Sequence, residues 1–361
     1  MSSPIPPTAP DYIAARRASL ALVLERITAE RGLALEAQLP GGRELMKRVL
    51  EYALRGKMLR GALVHLGAEL FDAATARGID ETAAAMELFQ AGLLVHDDIM
   101  DRDELRRGAP SFHSLYARET KDEGAEDAVH LGESLGICAG DVCLFEGFAA
   151  LAAAVAGAGH GGATLLALCA EELSVVGLAQ MRDCRWAALP VEPGEEEILA
   201  MYRGKTARYS FSLPLAAGAL LAGRADLRPA LFEIGELAGL AFQVRDDELG
   251  LYGDASRTGK SVVSDIREGK KTLYRARLMA RVAEPDRRRL AGIYGSPAAG
   301  EAEAAFVRAL LETSGVRAEI AAWRDGLALR AKTLAASMRG ADPERVAILA
   351  DLIDYLVARQ S

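Results

Sequence analysis

The chain has 361 residues, half of them hydrophobic, and its 43 Lys and Arg against 51 Asp and Glu leave a net charge of −8. That balance, with no basic block, excludes nucleic acid as the main partner, and the length allows a large apolar core in one domain. The four cysteines, Cys138, Cys143, Cys169 and Cys184, show no C-x-x-C spacing, which points to reduced, buried thiols and a cytoplasmic setting.

Residues 1–10, with Pro4, Pro6, Pro7 and Pro10, read as an irregular tail without the charged-then-apolar layout of a secretory signal. Beyond it, 11–361 reads as a single all-helical domain. Apolar residues recur at three- and four-residue spacing, alternating β-branched runs are few, and Ala, Leu, Glu and Arg abound. Helices are expected over 11–36, 43–72, 79–103, 126–157, 162–187, 195–223, 228–252, 268–283, 285–295, 301–338 and 343–359. Gly147–Ala170 carries no charged residue and is long enough to cross a bilayer. It is mostly Ala and Gly, however, and Gly157-Ala158-Gly159-His160-Gly161-Gly162 interrupts it, so two buried helices meeting at a turn are expected, with no transmembrane span. Pro214 is expected to kink the 195–223 helix just beyond Lys205-Thr206.

The 79–103 helix ends in Leu93-Leu94-Val95-His96-Asp97-Asp98-Ile99-Met100-Asp101. Asp97 and Asp101 lie one turn apart on one face, with Gln90 nearly in line. Like charges at this spacing destabilise a helix unless a cation sits between them. A short acidic run alone is more often a solvated helix end, but a second apolar helix ends in Phe242-Gln243-Val244-Arg245-Asp246-Asp247-Glu248-Leu249-Gly250. Two such ends suit helices of one bundle that present carboxylates to a shared cavity. Carboxylates suit Mg²⁺, which keeps part of its water shell and bridges to substrate phosphates, so the partner should be phosphorylated.

The basic groups are Gly56-Lys57-Met58-Leu59-Arg60, Arg106-Arg107-Gly108, Gly204-Lys205-Thr206, and Thr258-Gly259-Lys260 with Lys270-Lys271. Each alone reads as solvated surface, and Gly204-Lys205-Thr206 is no Walker loop, because Leu199 stands where that loop needs glycine. Interleaved with the acidic ends, they suit two diphosphates: arginine forks phosphate oxygens and lysine adds point charge.

From about residue 45 to the C-terminus, the chain resembles the trans-isoprenyl diphosphate synthases, or polyprenyl synthetases. The motifs that carry the resemblance are Gly56-Lys57-Met58-Leu59-Arg60, Asp97-Asp98-Ile99-Met100-Asp101 with Arg106-Arg107-Gly108, Lys205-Thr206, Phe242 to Asp247, and Gly253-Asp254-Ala255-Ser256-Arg257-Thr258-Gly259-Lys260. The resemblance implies a helical bundle around a deep central cavity, of isoprenoid synthase type. It implies that Lys57, Arg60, Gln90 and Arg107 hold the diphosphate of isopentenyl diphosphate. Arg106, Lys205, Thr206, Gln243, Lys260 and Lys270 would lie around an allylic diphosphate (dimethylallyl, geranyl or farnesyl). Asp97, Asp101 and Asp246 would ligate Mg²⁺, three ions with substrate bound, and catalysis would fall to Asp97, Asp101, Arg106, Lys205, Asp246 and Lys260. A homodimer joined by long apolar helices is also implied. Two positions depart from the family pattern: Gly250 stands where the second motif often has Asp, and Gln90 where many relatives carry His.

Loss of diphosphate from an allylic carbon leaves a cation, which the double bond of isopentenyl diphosphate attacks before a proton is lost to the departing diphosphate. Electrostatic stabilisation of the leaving group is the main lever, and an apolar cavity keeps water from the cation. No Ser-His-Asp set is needed, so His96 and His113 are expected to pack rather than catalyse. A terpene cyclase would need no second diphosphate site, and a non-catalytic partner subunit would show a degenerate first motif. Product length should depend on side chains below Asp97. Short-chain members carry aromatics four and five positions before the first aspartate, where Leu93 and Gly92 stand here. The open floor favours geranylgeranyl diphosphate, with Phe89 or Phe145 as the stop and farnesyl or longer products as alternatives. The plainer reading of Gly92 is close helix packing.

Overall fold

The structure is a computed structural model that describes residues 8–73, 76–156, 159–253 and 263–359. Lys260 and the rest of 254–260 lie outside the described residues. Helix α1 (Ala9–Glu36) starts two residues before its expected position, because Thr8 caps it by accepting from Asp11 N and Pro10 sits in the first turn, where its missing N–H costs nothing. The helix expected over 43–72 is two helices, α2 (Gly42–Leu54) and α3 (Leu59–Glu69). They part at Met58, a buried non-glycine residue in the left-handed region at φ +52°. Helix α4 (Ile79–Met100) follows and then a tiny hairpin, β1 (Leu105–Arg106) with β2 (Ala109–Pro110), in antiparallel register Leu105↔Pro110 and Arg106↔Ala109.

Helix α5 (Phe112–Asp122), not anticipated from the sequence, leads to α6 (Ala128–Val155) and α7 (Gly159–Ala188). Next come α8 (Glu195–Tyr202), a π-helical stretch over Arg203–Ser212, and α9 (Leu213–Leu221). The irregularity expected from Pro214 therefore takes the form of widened turns on its N-terminal side. Helix α10 (Arg228–Tyr252) has the predicted bounds. The chain continues through α11 (Ser264–Arg267), α12 (Leu273–Arg281), α13 (Glu284–Ile293), α14 (Glu301–Thr313), α15 (Val316–Ala336) and α16 (Pro343–Ala358). The expected 268–283 and 301–338 helices are each shorter or divided, the latter at Gly315, φ +72°. The fold class is all-α as expected.

The chain divides into two compact units. One comprises Met1–Leu168, Pro214–Arg228 and Gly340–Ile348; the other comprises Cys169–Leu213, Pro229–Arg339 and Leu349–Ser361. In the first, the core runs along α4, whose Ala83, Ala84, Ala85, Met86, Leu88 and Phe89 are wholly buried; the run of alanines lets neighbouring helices approach closely. In the second, Leu231, Ile234, Ala241 and Val244 of α10 form a core with Leu273, Tyr274 and Leu278 of α12 and Ile320 and Ala331 of α15, all at or near zero exposure. Each fully buried Leu, Ile or Val side chain among them contributes about 1.5–3 kcal/mol.

Helix α6 and residues 161–188 of α7 are long and apolar enough to cross a membrane by length and composition, and less than half of each apolar window is buried. Of the cysteines, Cys143 and Cys169 are buried, and burial pushes both thiols up to about 12. Contrary to expectation, Cys138 is exposed and Cys184 only half-buried.

Candidate active site

In the first unit, the C-terminal half of α4 carries a half-buried stripe, Gln90, Leu93, Leu94, Asp97 and, at the C-cap, Asp101, beside the half-buried His96 and Ile99. The stripe follows the 3.6-residue period, with carboxylates at its end and leucines below them. The negative end of the helix dipole lies at the same place, so cation binding there relieves both charge crowding and the dipole. Asp98 is different. It is fully buried, accepts from Tyr52 Oη at 2.7 Å and from Arg106 Nε at 2.5 Å, and is paired with Arg106 Nη2 as well. Burial raises the Asp98 carboxyl, and Arg106 and Tyr52 pull it back down. Burial works against the Arg106 charge, but Asp98 and Asp97 lift its pKa above the ordinary value. Arg106 also reaches Asp103 at 3.1 Å and Asp97 at 3.6 Å.

The hairpin explains how adjacent arginines serve separate duties. Its loop is Arg107-Gly108, with φ +54° and +75°, the two positive values of a type I′ turn. Arg106, in β1, is held by Asp98, whereas Arg107 reaches the Gly56 element. A Cβ at Gly56 would stand 2.6 Å from Arg107 Nη1, so a side chain there would push the guanidinium from its present place. Burial lowers the Arg107 pKa, and Arg60 and Arg106 add to this. The buried Glu87, one turn before Gln90, accepts from Gly61 N at 2.8 Å and ties α4 to the start of α3. The structure thus brings Arg107 against the Gly56 backbone and within electrostatic reach of Arg60, a cationic pair suited to a diphosphate, with Lys57 exposed on the same element.

In the second unit, the π-helical stretch carries Lys205 and Thr206. Lys205 Nζ donates to Asp183 at 2.6 Å, and Thr206 Oγ1 donates to Gln243 Oε1 at 2.7 Å. Gln243 Nε2 in turn donates to Asp247 at 2.9 Å. Asp247 is buried and also accepts from Tyr202, whose oxygen takes the N–H of Leu273. Its carboxyl is raised to about 8, by burial first and then by Asp265 and Asp246, against its hydrogen bonds from Tyr202 and Gln243. Asp246 points the other way, with its side chain 54% exposed and Arg359 Nη2 donating to it at 2.6 Å. Lys270 pairs with Asp265 and Glu268. π-Helical turns are rare and cluster at functional sites.

Among the described residues, no three His, Cys, Asp or Glu side chains converge closely enough to hold a metal ion by themselves. An all-oxygen set of exposed or half-buried carboxylates still fits Mg²⁺, which takes few protein ligands and completes its shell with water and phosphate. Three side chains here were not singled out from sequence: Asp98 and Asp247, which turn inward, and Asp183 of α7, which holds Lys205. His96 lies against Gly140, with Nε2 3.0 Å from Ile137 O, and His113 lies 3.2 Å from Ser111 Oγ; both pack as expected.

Two side chains invoked for product length face elsewhere. Gly92 is buried against α6, where a Cβ would meet Gly140 O at 2.8 Å and Leu144 at 3.0 Å, so this glycine serves helix packing. Phe145 is 68% exposed and cannot stop a chain inside its own unit. Phe89 is buried edge-on against Phe148, ring centroids 4.9 Å apart.

Residues 43–311 match the polyprenyl synthetase family. The short chain isoprenyl diphosphate synthase of Methanothermobacter thermautotrophicus is 35% identical over 70% of this chain and 73% of its own. The (2E,6E)-farnesyl diphosphate synthase of Mycobacterium tuberculosis is 34% identical over 85% and 80%. Among solved structures, the geranylgeranyl pyrophosphate synthase of Corynebacterium glutamicum, complexed with isoprenyl diphosphate and magnesium, superposes with a TM-score of 0.87 at 25% identity, over 95% of this chain and 98% of that one.

Proposed function

The chain belongs to the polyprenyl synthetase family and is a trans-isoprenyl diphosphate synthase, and on that premise we propose that it condenses isopentenyl diphosphate with an allylic diphosphate to give geranylgeranyl diphosphate. Lys57, Arg60, Gln90 and Arg107 take the isopentenyl diphosphate. Arg106, Lys205, Thr206, Gln243, Lys260 and Lys270 serve the allylic diphosphate. The family is generally Mg²⁺-dependent, and here Asp97, Asp101 and Asp246 would hold the metal, three ions in the loaded enzyme. Bound Mg²⁺ supplies Lewis-acid neutralisation of the leaving diphosphate. Arg106, oriented by Asp98, and Lys205, oriented by Asp183, add fixed positive charge where that diphosphate gains its own. Leu93 and Leu94 keep the carbon chain in an apolar, water-poor setting. The proton lost at the end passes to the released diphosphate, so no side-chain base is required.

The observation that carries the product assignment is the stripe on α4. Below Asp97 its members are Leu93 and Leu94, half-buried aliphatic side chains in place of an aromatic floor. Chromatography of dephosphorylated products tests it: the parent enzyme should yield mainly geranylgeraniol, and Leu93→Phe should shorten the distribution while turnover persists. A parent product of farnesol, unchanged in Leu93→Phe, would remove the assignment. The proposal extends to a single cytoplasmic domain over 11–361 with no transmembrane span. It also extends to a homodimer, in which the exposed Ile137 and Phe145 of α6 and Leu178 and Met181 of α7 are covered by a second copy, as apolar faces of this kind require.

A further inference from the structure

We propose that Asp265 supplies, from outside the helix, the third carboxylate that Gly250 leaves out of the second acidic motif. The inference rests on the reading of Asp246 as a Mg²⁺ ligand. In the first motif, Asp97 and Asp101 stand four residues apart on one face; in the second, the equivalent of Asp101 is Gly250, four residues after Asp246 on α10. A Cβ built on Gly250 would overlap Asp265 Oδ2, with Asp265 Cγ at 3.1 Å and its Cβ at 4.0 Å, and no other residue comes closer. A carboxylate oxygen therefore already occupies the place from which an aspartate at 250 would start.

The position of Asp265 is fixed. It lies in the short helix α11, its backbone carbonyl accepts from Lys270 N at 3.0 Å, and its Oδ1 pairs with Lys270 Nζ at 3.2 Å. With Oδ1 on Lys270, Oδ2 is the atom turned to the bare backbone of Gly250. One fifth of the side chain remains exposed, so water or a hydrated ion can reach it. Among the described residues no three such side chains form a preassembled cage, and this assigns Asp265 to the metal's water shell, the layer that orients a hydrated Mg²⁺. Glycine at 250 is then the complement of Asp265, since any side chain there would displace it.

The test is calorimetric titration of Mg²⁺ into the full chain with inorganic diphosphate present, on folded variants whose melting in chelator matches the parent. Asp265→Asn, which keeps the shape, should weaken Mg²⁺ binding by roughly tenfold, and Asp246→Ala by at least as much. Moving the carboxylate back, in Asp265→Ala with Gly250→Asp, should restore affinity to within about threefold of the parent, because alanine at 265 leaves the new side chain its space. Parental affinity in Asp265→Asn beside a loss in Asp246→Ala overturns the inference alone. No loss in Asp246→Ala overturns the reading of the second motif and the inference with it. A loss in Asp265→Asn that the double variant fails to restore also overturns it, because Asp265 then acts through Lys270 and not in place of residue 250.

Discussion

Asp98 and Asp247 occupy the same place in the two acidic motifs, each directly after the aspartate assigned to metal, and each turns inward to a tyrosine. Their remaining partners differ. Asp98 has a guanidinium on it, that of Arg106, whereas among the described residues Asp247 accepts from the hydroxyl of Tyr202 and the amide of Gln243. The first is a buried ion pair that fixes an arginine; the second is a buried acid raised to about 8 that fixes neutral donors. The same two letters in sequence thus encode one charged brace and one neutral brace, and the difference comes from the third residue at each site.

The largest effects should come from the outward-facing aspartates. Asp97→Ala or Asp101→Ala should lower turnover about 10²–10³-fold or more, with the fold intact by circular dichroism. Asp246→Ala should cost less, because its carboxylate is the more exposed. Near-normal steady-state activity with Mg²⁺ in Asp97→Ala would dissolve the division between outward and inward aspartates.

The sharpest contrast lies between Asp98→Asn and Asp247→Asn. Removing the anion from buried Arg106 should cost about 3 kcal/mol or more of unfolding free energy. Asparagine at 247 imitates the protonated acid and should cost about 1 kcal/mol or less. Urea denaturation decides, and equal losses would mean that both braces are of one kind.

A third test concerns pH. With the folded pKa of Asp247 near 8 and an unfolded value of about 3.9, its contribution is fully present below about pH 4 and is lost as pH rises through 8. In chelator, metal-free protein should therefore lose stability across that window, with a slope of at most about 1.4 kcal/mol per pH unit from this group. Asp247→Asn should flatten the slope; a variant whose profile parallels the parent would show that the acid is charged throughout. The smallest expected effects separate the basic groups. Lys57→Ala should raise KM for isopentenyl diphosphate roughly tenfold and Lys205→Ala that for the allylic substrate, each the loss of one charge-assisted hydrogen bond. Equal changes for both substrates in both variants would erase the partition.

Much of the fold was legible because periodicity over long apolar segments is a strong signal, and α10 was placed at its true ends. The break at Met58 was not, since a lone glycine, Gly56, inside a long apolar periodic run is a weak signal and a left-handed methionine adds none. The direction of Gly92 was equally hidden: position on a helical wheel separates faces, but only the neighbouring Gly140 and Leu144 show which face is packed. Helical spacing set Asp97 and Asp101 apart from Asp98, but the groups that hold Asp98 inward, Tyr52 and Arg106, come from other parts of the chain and could not be matched to it from the motif. Asp183 and Asp265 were missed for the same reason; each acquires its role from partners distant in sequence.

The π-helical stretch over Arg203–Ser212 sets Lys205 against Asp183 and Thr206 against Gln243. An enlarged turn differs from an α-turn by one residue of length, so the change that would abolish it is a deletion, not a substitution. Losing a single residue there would let regular pairing resume and swing one flank of the helix by about 100° relative to the other, carrying both side chains off their partners while every motif residue remained present. A gene carrying such an in-frame deletion would pass any inspection of its motifs and encode a well-formed helix that no longer addresses the substrate.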